Sequence, residues 1–179
     1  MILLVGPPGA GKSVQAQLLE REANVSWLSM GKVLRENLSG ELKEHMDKGE
    51  LVDDDVVQDF FDKAVQAVPN GTRIVIDGFP RRKSQVEWFL GYVKGARRNV
   101  EACIHLVVPE DEVQARLKER GRQDDQAEVV HDRYEIYKNE LTPVLEVYRE
   151  KGVPIYDING HQSIEAVHET IMTQLKGTI

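Results

Sequence analysis

Residues 6–13 read Gly6-Pro7-Pro8-Gly9-Ala10-Gly11-Lys12-Ser13 and fit the pattern G-x-x-x-x-G-K-[ST]. That spacing serves phosphate chemistry. Glycines let consecutive backbone N–H groups turn inward around an anion, and Lys12 brings a mobile positive charge to the β- and γ-phosphates of a nucleotide. Ser13 can offer its hydroxyl to Mg²⁺. An apolar run, 2–5, leads into the loop and a helix-compatible stretch, 14–20, leaves it, so strand, loop and helix come in the order the motif needs. A glycine-rich turn that binds nothing is the competing reading, and a complete motif in this context weighs against it. The chain is expected to bind a nucleoside triphosphate.

Holding such a loop takes a sheet, and the rest of the chain supplies one. The run 25–28 reads as a second strand, and two short helices fit 31–48. Asp53, Asp54 and Asp55 offer an N-terminal cap to a helix over 56–68, whose Val57, Phe60, Phe61, Ala64, Val65 and Val68 form one apolar stripe. A buried strand over 73–77 ends in the carboxylate of Asp77, and Gly78-Phe79-Pro80-Arg81 turns the chain out of the sheet. A helix from 83 to about 92 follows, with Trp88, Phe89 and Tyr92 as core, then a strand over 102–108. The next helix starts at Asp111 and is interrupted by Gly121; a long helical stretch covers 125–151, with Pro143 as a kink and Gly152 as its stop. A strand over 153–158 and a helix over 164–175 complete the chain. Strands alternating with helices predict a parallel sheet covered on both faces.

The chain of 179 residues with 41% apolar content supports one substantial core, so a single domain, 1–179, is expected. No apolar run reaches the ~20 residues a bilayer span needs, and no basic, cleavable leader precedes the first strand, so a cytoplasmic protein is expected. The one cysteine, Cys103, lies in an apolar stretch and reads as a small hydrophobe; it allows no cysteine-based zinc site. A formal net charge of −7 argues against nucleic acid as a partner. Positive charge for phosphates must therefore be concentrated locally.

At Asp77-Gly78-Phe79-Pro80-Arg81 the sequence resembles the nucleoside monophosphate kinases, and most of all the adenylate kinase family. The resemblance covers nearly the whole chain. Its pieces stand in family order: the phosphate loop, Leu28 to Gly31 with Leu34 and Arg35, Gly49 to Val52, the Asp77 motif with Gln85, then Arg116, Arg120, Arg122, Asp124, Asp125 and Arg133. It implies reversible transfer of the γ-phosphoryl group of ATP to AMP, giving ADP, with Mg²⁺ as cofactor. Physical reasoning asks for the same parts, because two polyanions must be brought end to end and their repulsion neutralised. Arginines suit this, staying charged and gripping phosphate oxygens with a planar fork.

By family position, Gly9, Ala10, Gly11, Lys12, Ser13, Val14, Arg116, Arg120 and Gln162 face ATP, with Arg116 against its base. Met30, Arg35, Glu50, Leu51, Val52, Gly78, Phe79, Pro80, Arg81, Gln85, Arg122 and Arg133 face AMP, with the Gln85 amide on the adenine edge. Lys12, Arg81, Arg120, Arg122, Arg133 and Asp77 make up the catalytic set, and Mg²⁺ is held through Ser13 and a water that Asp77 orients. Taken alone, Arg122 and Arg133 read as solvated helix residues and Gln85 as a surface glutamine. Asp124 and Asp125 read equally as helix caps or as parts of lid closure.

The resemblance implies a three-layer P-loop fold with a five-stranded parallel sheet in the order 2-3-1-4-5. It also implies a helical monophosphate-binding insertion over 29–58 and a vestigial lid over 120–125. Departures from the family are the serine-valine pair after Lys12, Met30 in place of a threonine, Lys32 in place of an aspartate, and a lid cut down to the one glycine between Arg120 and Arg122. Met30 keeps a UMP/CMP kinase open as an alternative, which Gln85 disfavours; a nucleotide-binding regulatory protein is disfavoured by the full arginine set. A monomer is the default.

Overall fold

A computed structural model describes residues 1–121 and 125–177. Five strands, β1 (Ile2–Val5), β2 (Val25–Ser29), β3 (Arg73–Asp77), β4 (Ala102–Val107) and β5 (Ile155–Asn159), form one sheet in the order β2-β3-β1-β4-β5. Every pairing is parallel. This is the expected topology, and its physical basis is the connecting helices, since a parallel neighbour can be reached only by a crossover.

Alternation along β1 sorts the core. Leu3 points with Ile74, Ile76 and Cys103 into one cluster, while Ile2 and Leu4 point with Val75, Ile104 and Leu106 into the other. The Leu3 face is covered by α4 (Asp54–Gln66), α5 (Lys83–Gly95) and α7 (Ala127–Glu150), which contribute Phe61, Phe89 and Tyr148. The Leu4 face is covered by α1 (Lys12–Glu22), α6 (Glu110–Arg120) and α8 (Ile164–Gln174), through Leu19, Leu117 and Ile171. Phe61 meets Phe79, Trp88, Phe89 and Tyr92 at ring-centroid distances from 4.7 to 6.0 Å, so the aromatics expected in the core do gather there. Cys103 is fully buried among apolar neighbours.

Several boundaries differ from the sequence expectation. The helix expected at 56 starts at Asp54, and Asp53, although it occupies the cap position, makes no side-chain cap hydrogen bond. Asp54 and Asp55 instead sit in the first turn, where negative charge meets the positive end of the helix. α7 runs without a break through Pro143. β5 begins at Ile155, two residues late, because Gly152 and Val153 are spent closing the end of α7, with Val153 N–H donating to Tyr148 O at 3.0 Å. Between β2 and α4 stand α2 (Met30–Asn37) and α3 (Gly40–Asp47); α3 buries none of its residues fully and meets the core through Met46.

Candidate active site

The phosphate loop leaves the carboxyl end of the central strand, the position where open parallel sheets bind ligands. Registry then brings the other groups to it. Leu4 pairs with Asp77 and Ser29 pairs with Asp77, so the carboxylate at the end of β3 stands beside the loop. Ser13 Oγ donates to Asp77 Oδ2 at 2.6 Å. A cavity of about 320 Å³ opens above these strand ends, lined by Gly9, Gly11, Lys12 and Ser13 on one side. The same lining includes Arg35, Arg81, Arg116, Arg120 and Arg133, which come from three helices and the turn after β3.

Lys12 folds back on its loop, donating from Nζ to Gly6 O at 2.8 Å and Pro7 O at 2.7 Å. Burial pushes its ammonium down to about 8; Asp77 opposes that shift, while Arg81, Arg133 and Arg120 add to it. Arg81 Nε donates to Gly78 O at 2.8 Å, and the Arg35 guanidinium lies so near Gly31 that a Cβ there would be 3.3 Å from Nη1. Arg116 is held at Nε by Glu112 Oε1 at 2.7 Å and donates from Nη2 to Gly160 O at 2.9 Å. Arg120 makes a forked pair with Asp125, Nε to Oδ2 at 2.8 Å and Nη2 to Oδ1. Arg133 Nη1 stands 3.9 Å from the same Asp125 carboxylate, whose side chain is 1% exposed. The cap of α7 is Gln126, so Asp125 is an arginine partner and not a helix cap. Gly121 takes φ +63 and caps the end of α6 in the left-handed conformation. Arg122 and Asp124 lie outside the described residues.

Val14, Leu51, Gly78, Phe79 and Pro80 also line the cavity, as expected. Ala10, Met30, Glu50, Val52, Gln85 and Gln162 do not. Met30 is fully buried in the core beneath the site. Glu50 pairs with His45 Nδ1, and Gln162 is exposed. Gln85 is 2% exposed with both ends of its amide engaged: Oε1 accepts from Arg81 N–H at 2.7 Å and Nε2 donates to Asp54 Oδ1 at 2.8 Å. Hydrogen bonds from Ser84 and Gln85 and the nearby Arg82 outweigh burial at Asp54 and hold its carboxyl below the ordinary range.

The sequence reading missed one whole wall. Ile136, Tyr137, Glu140, Leu141 and Val144 of α7 line the cavity together with Arg133. Their spacing from Arg133 follows one helical face, the one signal the sequence carries for them, and mixed polarity along that face masks it. Among the described residues, one other grouping has metal-ligand chemistry: Glu110, His131 and Glu135. It lies outside the cavity lining; His131 Nδ1 is 2.9 Å from Glu110 Oε1 and Lys138 pairs with Glu135 at 2.9 Å.

A doubly covered 2-3-1-4-5 sheet whose phosphate loop faces a bank of arginines defines a P-loop nucleotide kinase as a class. Comparison with known proteins narrows it. The family model described as adenylate kinase matches residues 4–153. An adenylate kinase of Archaeoglobus fulgidus is 32% identical over 95% of each chain. Adenylate kinase 1 of a Nostoc species is 32% identical over 99% of this chain and 97% of its own, and an adenylate kinase of Clavibacter michiganensis is 33% identical over 98% and 92%. The chain belongs to the adenylate kinase family.

Proposed function

We propose that the chain moves the γ-phosphoryl group of ATP reversibly onto AMP, giving two ADP, with the donor over the phosphate loop and the acceptor against Arg35 and Arg81. The observation that carries this reading is the shared cavity, in which one phosphate loop and five arginines face each other. Phosphoryl transfer leaves the protein little covalent work, so catalysis rests on in-line positioning and on charge that meets the passing group. The acceptor phosphate oxygen attacks Pγ as the bond from Pγ to the β,γ-bridging oxygen of ATP breaks, and that pair of electrons stays on ADP. No general base is required, because the acceptor phosphate is already an anion.

In this reading Lys12 grips the β- and γ-phosphates, Arg81 and Arg35 the monophosphate, and Arg120, Arg122 and Arg133 the transferred group. Arg116, fixed by Glu112 and Gly160 O, lies against the ATP base. Asp125 holds Arg120 and stands beside Arg133, which keeps the two charges near one another. Asp77 and Ser13 present oxygen donors 2.6 Å apart beside Lys12, a donor set that suits a hard divalent cation. They would hold Mg²⁺, directly and through water, and the ion would supply charge neutralisation on the phosphates. For Gln85 to read the adenine edge, its amide must exchange Arg81 N–H or Asp54 for the base.

The 29–58 segment forms the monophosphate-binding insertion and 120–125 the shortened lid of a single domain. A monomer is the default working unit. Among the described residues no helix is long and apolar enough to cross a membrane, and we assign the protein to the cytoplasm. A coupled assay of ATP against AMP, CMP, UMP and GMP tests the reading. The highest kcat/KM is expected with AMP; a pyrimidine monophosphate in first place would overturn the acceptor assignment.

A further inference from the structure

Behind the α7 wall a polar chain that phosphoryl transfer does not itself call for runs from the half-buried Tyr137 through the buried His105 to the exposed Asp157. His105 lies on β4, opposite Val5, the last residue of β1 before the phosphate loop, and opposite Asp157 on β5. The residue is 7% exposed. Nδ1 is 2.7 Å from Asp157 Oδ1, and Nε2 is 2.7 Å from the Tyr137 hydroxyl. A carboxylate only accepts, so Nδ1 carries the proton; in the neutral ring Nε2 then accepts from the Tyr137 O–H. Burial raises the Tyr137 hydroxyl well above its ordinary range, which keeps it a donor.

Two features tie this chain to the reaction. Tyr137 lines the cavity itself, and Arg133 stands one helical turn before it on the same face of α7. Among the described residues, α7 also reaches the segment just past β4 through Tyr134 Oη, which donates to Val108 O at 3.4 Å. An α7 free to roll about its axis would swing Arg133 along an arc; a fixed hydrogen bond one turn away sets that angle.

We propose that Tyr137, held through His105 by Asp157, is a positioning residue for phosphoryl transfer: it fixes the roll of α7 so that Arg133 faces the transferring group. The inference rests on the reading of Arg133 given above. It differs from a packing role because only the hydroxyl matters; the Tyr137 ring would fill the same space without it. Misplacing a charge by a fraction of its reach acts on the transition state more than on bound nucleotide, so the effect should fall on kcat.

The test is a double-mutant cycle in the full chain, with kcat and KM for ATP and AMP measured on the parent, Tyr137→Phe, Arg133→Ala and the double variant. Tyr137→Phe is expected to lower kcat about tenfold with both KM values within about twofold, and to cause no further loss when added to Arg133→Ala. His105→Leu, which fills the site without either hydrogen bond, should reproduce the same split; thermal melts show that each variant is folded. A Tyr137→Phe loss that multiplies in full onto that of Arg133→Ala, an effect on KM alone, or an unchanged kcat overturns the inference while leaving Arg133 in place. Parent turnover in Arg133→Ala overturns the reading of Arg133, and this inference with it.

Discussion

Lys12 is a residue whose charge balance bound nucleotide should change. With its Nζ closed in by loop carbonyls and three arginines near, its ammonium is pushed down to about 8, against 10.5 in an unfolded chain. Bound phosphates reverse the balance by bringing negative charge to it, so ATP should bind with proton uptake once the pH passes about 8. Calorimetric titration of ATP at about pH 9 in buffers of different ionisation enthalpy measures this, and affinity should fall as pH climbs further. Without ligand the sign is opposite. Between about 8 and 10.5 the unfolded chain holds the proton that the fold has lost, so this group makes the empty protein more stable as pH rises. Lys12→Ala and Arg81→Ala should each lower kcat by about 10²–10³-fold, the scale of losing preorganised charge at a reacting group, without lowering the melting temperature of the empty protein. Parent-like turnover in a folded Arg81→Ala variant would remove Arg81 from the site. The phosphate loop was legible as residue types at a fixed spacing, and Asp77 and the arginines through the family resemblance. The Gln85–Asp54 bond was not, because it joins residues 31 positions apart and depends on how α4 seats against α5.

At the scale of elements, strand order and the two-faced core follow from patterns that repeat within each segment, which is why they could be read in advance. Where one element ends against another is settled by contacts between distant segments, and there the reading slipped, as at the start of β5 and the first turn of α4. The α7 wall was missed for a related reason: its cavity-facing positions mix apolar and polar residues, so the face does not stand out as a simple stripe. Gly49 shows how two elements constrain one residue. It follows α3 with φ +86, and a Cβ there would stand 2.9 Å from both Arg133 Cγ and Val129 Cγ1 of α7. Gly49→Ala meets a left-handed backbone and a steric clash together, so it should push the Arg133 stem away. The expected outcome is a destabilisation of about 1–3 kcal/mol in denaturant titration and a lower kcat. A variant with parent stability and parent turnover would show that the insertion does not bear on α7 at this point.

For the molecule as a whole, the open question of chemistry is water, which competes with AMP for the same phosphoryl group. In sequence only four residues separate Arg120 from Asp125, which gives the chain little length there for a cover. A measurable rate of ATP hydrolysis without AMP is therefore expected, and a family-length loop grafted between Arg120 and Arg122 should reduce it. Mass in solution, measured alongside, checks that no second copy supplies the cover. If the monomeric parent hydrolyses negligible ATP and the graft changes nothing, closure must come from the 29–58 insertion. The order of the sheet bears on a different moment in the life of the protein. β1 comes off the ribosome first, yet its neighbours are β3 and β4, and the second of these ends at Val107. A nascent chain therefore carries the phosphate loop as sequence long before it has a platform for it. At synthesis rates of about 5–20 residues per second, the interval lasts about 5–20 s. Throughout that time nucleotide cannot act as a folding ligand, and the apolar central strand has no lasting partner on one side. Whatever keeps it from misassociating during those seconds must come from the emerging chain or from chaperones, since the enzyme's own substrates arrive too late to help.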